Sequence, residues 1–198
     1  ASAPNAPEVR TNLASALALS GEEAEAVSAY REALRLDPLN PELHEWFNGY
    51  LSTLAHPEYL HSYAEALEQQ PAAGPLAIAY ARKLLLGQQG EQALEVLAAV
   101  PIDKEQTRAY LACERSHIFR EMGKFDEAVI AAREAHRLLP DLPRNTLELA
   151  TAIMAADADH EEAVDCLQPL ISSEACGQDT WATYATALRY AERLEEYN

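Results

Sequence analysis

Cys113 and His117 stand four residues apart in a stretch of helical pattern, the spacing that sets two side chains on one helical face within reach of one metal ion or one proton. No third or fourth ligand accompanies them in the sequence, so the expectation is a thiol and an imidazole lining or underlying a surface, without metal. His56 and His61 are five apart with Pro57 between them, which breaks the facing geometry. His44, beside Glu45, has no second histidine at helical spacing. Serines, histidines and acidic residues are all present, yet no nucleophile elbow, phosphate loop or metal-hydrolase helix joins them. The reading is no catalytic residue, no cofactor and no metal site: this segment is not an enzyme by itself.

Charge and composition narrow the partners. The formal net charge is -17, from 32 acidic against 15 basic side chains. Phosphate binding depends on clustered Lys and Arg, so nucleic acid and anionic membrane are excluded as partners. With 48% hydrophobic residues and only 7 Gly in 198, the chain can bury a continuous core and is no disordered tail. Cys113, Cys166 and Cys176 are odd in number and lack CxxC spacing, which points to reduced thiols and a cytoplasmic protein. No apolar run approaches the roughly 20 residues of a spanning helix, and no signal-peptide pattern opens the chain. Residues 1–6, rich in Ala and Pro, read as a linker or cloning remnant.

The elements that would position any site come from a repeat. Gly21 with Gly123, Ala26 with Ala128, Ala33 with Ala135 and Pro38 with Pro140 are each 102 residues apart, three times a period of about 34. Glu8 to Leu19 places Leu13, Ala14 and Leu17 on one helical face, and Ser20-Gly21 ends that helix. Glu22 to Leu36 forms a second helix with Ala26, Tyr30 and Ala33 inward, and Pro38 stops it. Small side chains at 14, 26 and 33 let two helices approach closely. The pattern predicts units at 7–40, 41–73, 74–103, 104–142 and 143–177, with an incomplete one at 178–198, all in one domain spanning 7–198. Pro38 and Pro71 are only 33 apart, so the second unit slips by one residue. In the fifth unit Ala158 is expected at the turn and Pro169 is expected to shorten or kink the second helix. Trp46, Phe47, Tyr50, Tyr59 and Tyr63 in the second unit, and Trp181, Tyr184, Tyr190 and Tyr197 in the last, are expected mostly in the core. The sequence stops at Asn198 within a hairpin, which suggests a piece of a longer polypeptide, since repeat arrays end in polar caps.

The spacing of Leu13, Ala14, Leu17, Gly21, Ala26, Tyr30, Ala33 and Pro38, repeated around Phe119, Gly123, Phe125, Ala128, Ala135 and Pro140, resembles the tetratricopeptide repeat family. The resemblance implies an all-α fold, a right-handed solenoid of about five and a half helical hairpins. It also implies that the first helix of each hairpin lines a concave groove. Counted from the repeat residues, that lining takes in Thr11, Ser15, His44, Asn48, Arg82, Leu85, Cys113, His117, Arg120, Arg144, Glu148, Thr186 and Arg189. Arg82, Arg120, Arg144 and Arg189 in one groove would suit a carboxylate or acidic peptide through their forked donors. The competing outcome is that they pair with neighbouring Glu. The family's chaperone-tail clamp uses Lys and Asn at set positions; Thr11 and Ser15 stand there in the first unit and Glu45 or Trp46 in the second, so that ligand is disfavoured.

The functional expectation is a non-catalytic interaction scaffold holding a protein or peptide, acidic in the groove reading. The alternative is a regulatory or substrate-presenting arm of a larger bacterial enzyme. The ending Arg193-Leu194-Glu195-Glu196-Tyr197 is weakly similar to arms preceding iron- and 2-oxoglutarate-dependent oxygenase or sulfotransferase domains. Self-association through the C-terminal end around Trp181 and Tyr184 is a third reading.

Overall fold

The computed structural model describes residues 6–172 and 177–192, and among them every regular element is a helix. The all-α class expected from the repeat is what the described residues show. The helices fall into two compact units, residues 1–101 and 102–198.

The first unit holds α1 (Pro7–Ser20), α2 (Glu23–Leu36), α3 (Pro41–Thr53), α4 (His61–Gln69), α5 (Gly74–Leu86) and α6 (Gly90–Ala98). Pro7 and Pro41 sit in the first turns of α1 and α3, where the missing N–H costs nothing. Asn40 caps α3 by accepting from the backbone N–H of Glu42 and Leu43. Gly21 closes α1 at φ 78, and Glu22 N–H reaches back to the Leu17 carbonyl, the six-to-one bond of a left-handed helix stop. Ala14, Tyr30, Ala33, Leu43, Phe47 and Leu51 form its core, with the Tyr30 ring 5.6 Å from Phe47 and 5.8 Å from Tyr50. Leu13, expected inward, is instead exposed.

The second unit holds α7 (Glu105–Glu121), α8 (Phe125–Leu138), α9 (Pro143–Ala155), α10 (His160–Ile171) and α11 (Gln178–Tyr190). Each hairpin packs on the next, and the first helices α7, α9 and α11 lie side by side. Leu149, Ile153, Val164, Leu167, Tyr184 and Leu188 interdigitate among them. The left-handed turn of the α9–α10 hairpin falls at Asp157, φ 50, and not at Ala158. Asp tolerates that conformation better than Ala because its short polar side chain bonds locally; here its carboxylate meets His160 Nε2 at 3.0 Å. Pro169 lies inside α10, which ends two residues later. Of the aromatic groups, Phe47, Tyr63 and Tyr184 are buried, while Trp46, Tyr59, Trp181 and Tyr190 are exposed. Cys176, Tyr197 and the 193–197 ending lie outside the described residues.

Candidate functional site

In the second unit, α7 and α9 bring His117, Arg120, Arg144 and Glu148 to one face. Arg144 donates to the carboxylate of Glu114, which is only 1% exposed. Ser116 Oγ donates to Glu148 Oε1 at 2.9 Å, and Arg120 Nε lies 3.6 Å from the same oxygen. Arg120 Nη2 donates to His117 Nδ1 at 2.9 Å, which places the ring proton on Nε2, and Nη1 reaches Glu121 at 3.1 Å. Arg120 and Arg144 are therefore already matched by carboxylates of the same chain. Burial opposes the charge on Arg144, yet the Glu114 carboxylate beside it raises its affinity for the proton. Cys113 is buried against Ala112 and Ala135, so its thiol does not stand beside His117 on the face. Arg189, in the last turn of α11, is exposed and rests over the Tyr190 ring at 5.4 Å, and Thr186 bonds back to the Ala182 carbonyl.

In the first unit α3 keeps the full 34-residue register of α1, with Pro41 34 residues after Pro7 and Asn48 34 after Ala14, and this decides which side chains look outward. His44 and Asn48, counted into the groove from the sequence, lie inside, 2% and 0% exposed. His44 Nε2 donates to the Pro38 carbonyl at 2.9 Å, and Nδ1 accepts from Ser62 Oγ at 3.0 Å. Asn48 Nδ2 donates to Ser62 Oγ at 2.7 Å and to the His44 carbonyl at 2.8 Å, while its Oδ1 accepts from Leu60 N–H at 2.6 Å. This polar chain ties the end of α2, the body of α3 and the start of α4 together, with His44 stacked 4.9 Å from Tyr63 and Tyr63 stacked 5.4 Å from Tyr80. Burial, outweighing the Pro38 bond and the nearby Asp37 charge, lowers the His44 pKa below its usual value.

The exposed residues of α3 are Glu42, Glu45, Trp46, Gly49, Ser52 and Thr53. The signal for them was in the repeat count: Asn48 is 34 residues after Ala14 and 102 before Ala150, both close-packing positions, whereas Glu42 and Trp46 stand 102 before Arg144 and Glu148. Glu114, missed from the sequence, became visible only through its Arg144 partner on another hairpin. Arg82 is exposed on α5, Leu85 is half-buried, Thr11 bonds back to the Pro7 carbonyl, and Ser15 Oγ meets the Tyr30 hydroxyl at 3.2 Å. On the opposite side of α3 a cleft of about 590 Å³ opens between α2 and α4, floored by His44 and Phe47 and bridged by the Arg31–Glu58 pair.

Among the described residues no group of three His, Cys, Asp or Glu side chains is placed to hold a metal ion, and no helix is long and apolar enough to cross a membrane. What these faces offer is directed hydrogen bonding and charge from rigid helices.

Comparison with known proteins agrees with the helical-hairpin architecture. The family model described as tetratricopeptide repeat matches residues 7–38. A crystal structure of PilW, a widely conserved type IV pilus biogenesis factor, is similar with a TM-score of 0.63 at 19% identity over 96% of this chain and 90% of that one. A tetratricopeptide repeat protein from Parabacteroides merdae gives a TM-score of 0.63 at 15% identity over 96% and 75%. A thermophilic protein of the same repeat class from Thermus thermophilus gives 0.55 at 21% over 93% and 100%. At such identities the likeness is one of fold. Comparison with curated protein sequences finds no match.

Proposed function

We propose that this chain, whose residues 7–38 match the tetratricopeptide repeat model, is a non-catalytic interaction scaffold of that type that holds a peptide segment or a neighbouring domain on the exposed faces of its first helices. The observation that carries this reading is the α7–α9 face, where side chains from separate hairpins pair across the seam, Arg144 with Glu114 and Ser116 with Glu148, and Arg120 lies 3.6 Å from Glu148. Arg144 is held by a buried carboxylate and keeps its place. Arg120 is partnered by Glu121, whose side chain is about half in solvent, and a ligand carboxylate can take that partner's position. An acidic peptide segment thus fits the second unit by exchange for Glu121. Two separate thiols, Cys113 and Cys166, suit a reducing compartment such as the cytoplasm.

The test is selection from a random peptide library against the wild-type chain and against Arg120→Glu. Enrichment of acidic peptides by the wild type and their loss in the variant is the expected result. Failure to enrich any sequence, or enrichment of the same peptides by both proteins, removes this site.

A further inference from the structure

The α3 face carries exposed side chains without partners among the described residues that the arginine face does not explain. Trp46 is 49% exposed, and its indole has no ring, cation or hydrogen-bond partner among the described residues. One turn before it, the carboxylate of Glu42 likewise has none, although Glu42 N–H is capped by Asn40. Glu45, the neighbouring carboxylate on the same helix, is occupied by Lys83 of α5 at 2.7 Å. Three residues after Trp46 comes Gly49, inside the helix, where an added Cβ would meet nothing within 4 Å. Gly in a helix interior weakens the helix relative to Ala, so a site with open space and ordinary helical backbone gains nothing for folding from Gly. Its effect is to leave the surface beside the indole bare, where another backbone can approach closely.

Residues 42, 46 and 49 lie on one stripe of α3 at helical spacing. An unpaired carboxylate next to an open indole face attracts a cation twice, by charge and by the ring quadrupole. The net charge of -17 favours approach of a basic segment. We propose that the Glu42–Trp46–Gly49 stripe seats an arginine or lysine side chain of an extended partner peptide, its backbone lying over Gly49; this rests on the peptide-scaffold reading above.

The experiment measures binding of short acetylated and amidated peptide pools, each with a fixed central arginine, lysine, glutamate or alanine and randomised flanks. Binding is read from the indole N–H resonance of Trp46 in the intact chain and from fluorescence anisotropy of labelled pools. Arginine and lysine pools are expected to shift the Trp46 signal and to bind about three- to thirtyfold more tightly than the alanine pool. Trp46→Ala and Glu42→Gln should each remove that preference. Gly49→Ala should raise Tm while weakening the basic pools, a combination that a purely structural role for Gly49 does not produce. Basic pools that bind wild type and Trp46→Ala alike, a preference for glutamate at this face, or a Gly49→Ala variant with unchanged binding overturns the proposal and leaves the scaffold reading in place. Absence of binding by every pool to the wild type overturns both.

Discussion

Asn48→Ala separates what the repeat register predicts from what the tertiary structure predicts. Ala14, 34 residues earlier, and Ala150, 102 residues later, occupy the same repeat position. By register alone, Asn48→Ala restores the small residue and should be neutral or stabilising. The structure says the opposite, because Asn48 is fully buried and makes three hydrogen bonds, to Ser62 Oγ, the His44 carbonyl and Leu60 N–H. Leu60 sits at φ 70 before α4, and Asn48 is the partner of its N–H. Three bonds at about 1 kcal/mol each, plus about 1–3 kcal/mol for a stranded buried N–H, less the desolvation that the amide no longer bears, give a net loss of about 3 kcal/mol. In urea, with a slope of about 2 kcal/mol per M, the midpoint of the first unit should fall by about 1.5 M. Trp46 fluorescence in a Trp181→Phe background reports that unit directly. A midpoint shift under about 0.3 M, or a rise, would show that the repeat position tolerates alanine and that the polar chain adds nothing.

The same chain makes stability depend on pH through His44. Its folded pKa lies below the usual 6.5, so the unfolded chain takes up the proton first. The stability His44 contributes is complete above 6.5 and is lost as pH falls through the folded value, so the Tm advantage of wild type over His44→Gln should shrink across that window; a constant difference refutes it. Arg144→Ala removes the guanidinium partner of buried Glu114 and should cost about 2–3 kcal/mol, less than a fully buried pair because Arg144 is about half in solvent. The exposed Arg35–Glu32 pair is the control, and equal denaturation midpoints for Arg144→Ala and Arg35→Ala would contradict the reasoning. Burial, with the nearby Glu162 charge adding to it, pushes the Cys166 thiol up to about 12. Iodoacetamide at about pH 8 should therefore modify Cys166 far more slowly in the native chain than in urea, as read by peptide mass; equal rates would exclude a buried thiol.

The helices and their stops were legible in the sequence because their signals are local. Gly21 and Gly123 take up positive φ 102 residues apart, and Pro7, Pro41 and Pro143 open helices within the first turn. The all-α hairpin architecture follows from those signals and from the small residues at Ala14, Ala26 and Ala33, all buried. Which first-helix side chains face outward was only partly legible. Adjacent residues on a helix point about 100° apart, so a count that drifts by one exchanges an inward for an outward position. Thus His44 and Asn48 went to the interior and Trp46 to the surface. The charge pattern was beyond the sequence for a different reason. Arg144 meets Glu114 and Ser116 meets Glu148 across 30 and 32 residues, and only the stacking of one hairpin on another brings those partners within hydrogen-bond distance. Local backbone preference determined the elements; the tertiary packing decided which charges cancel and which side chains remain open to a partner.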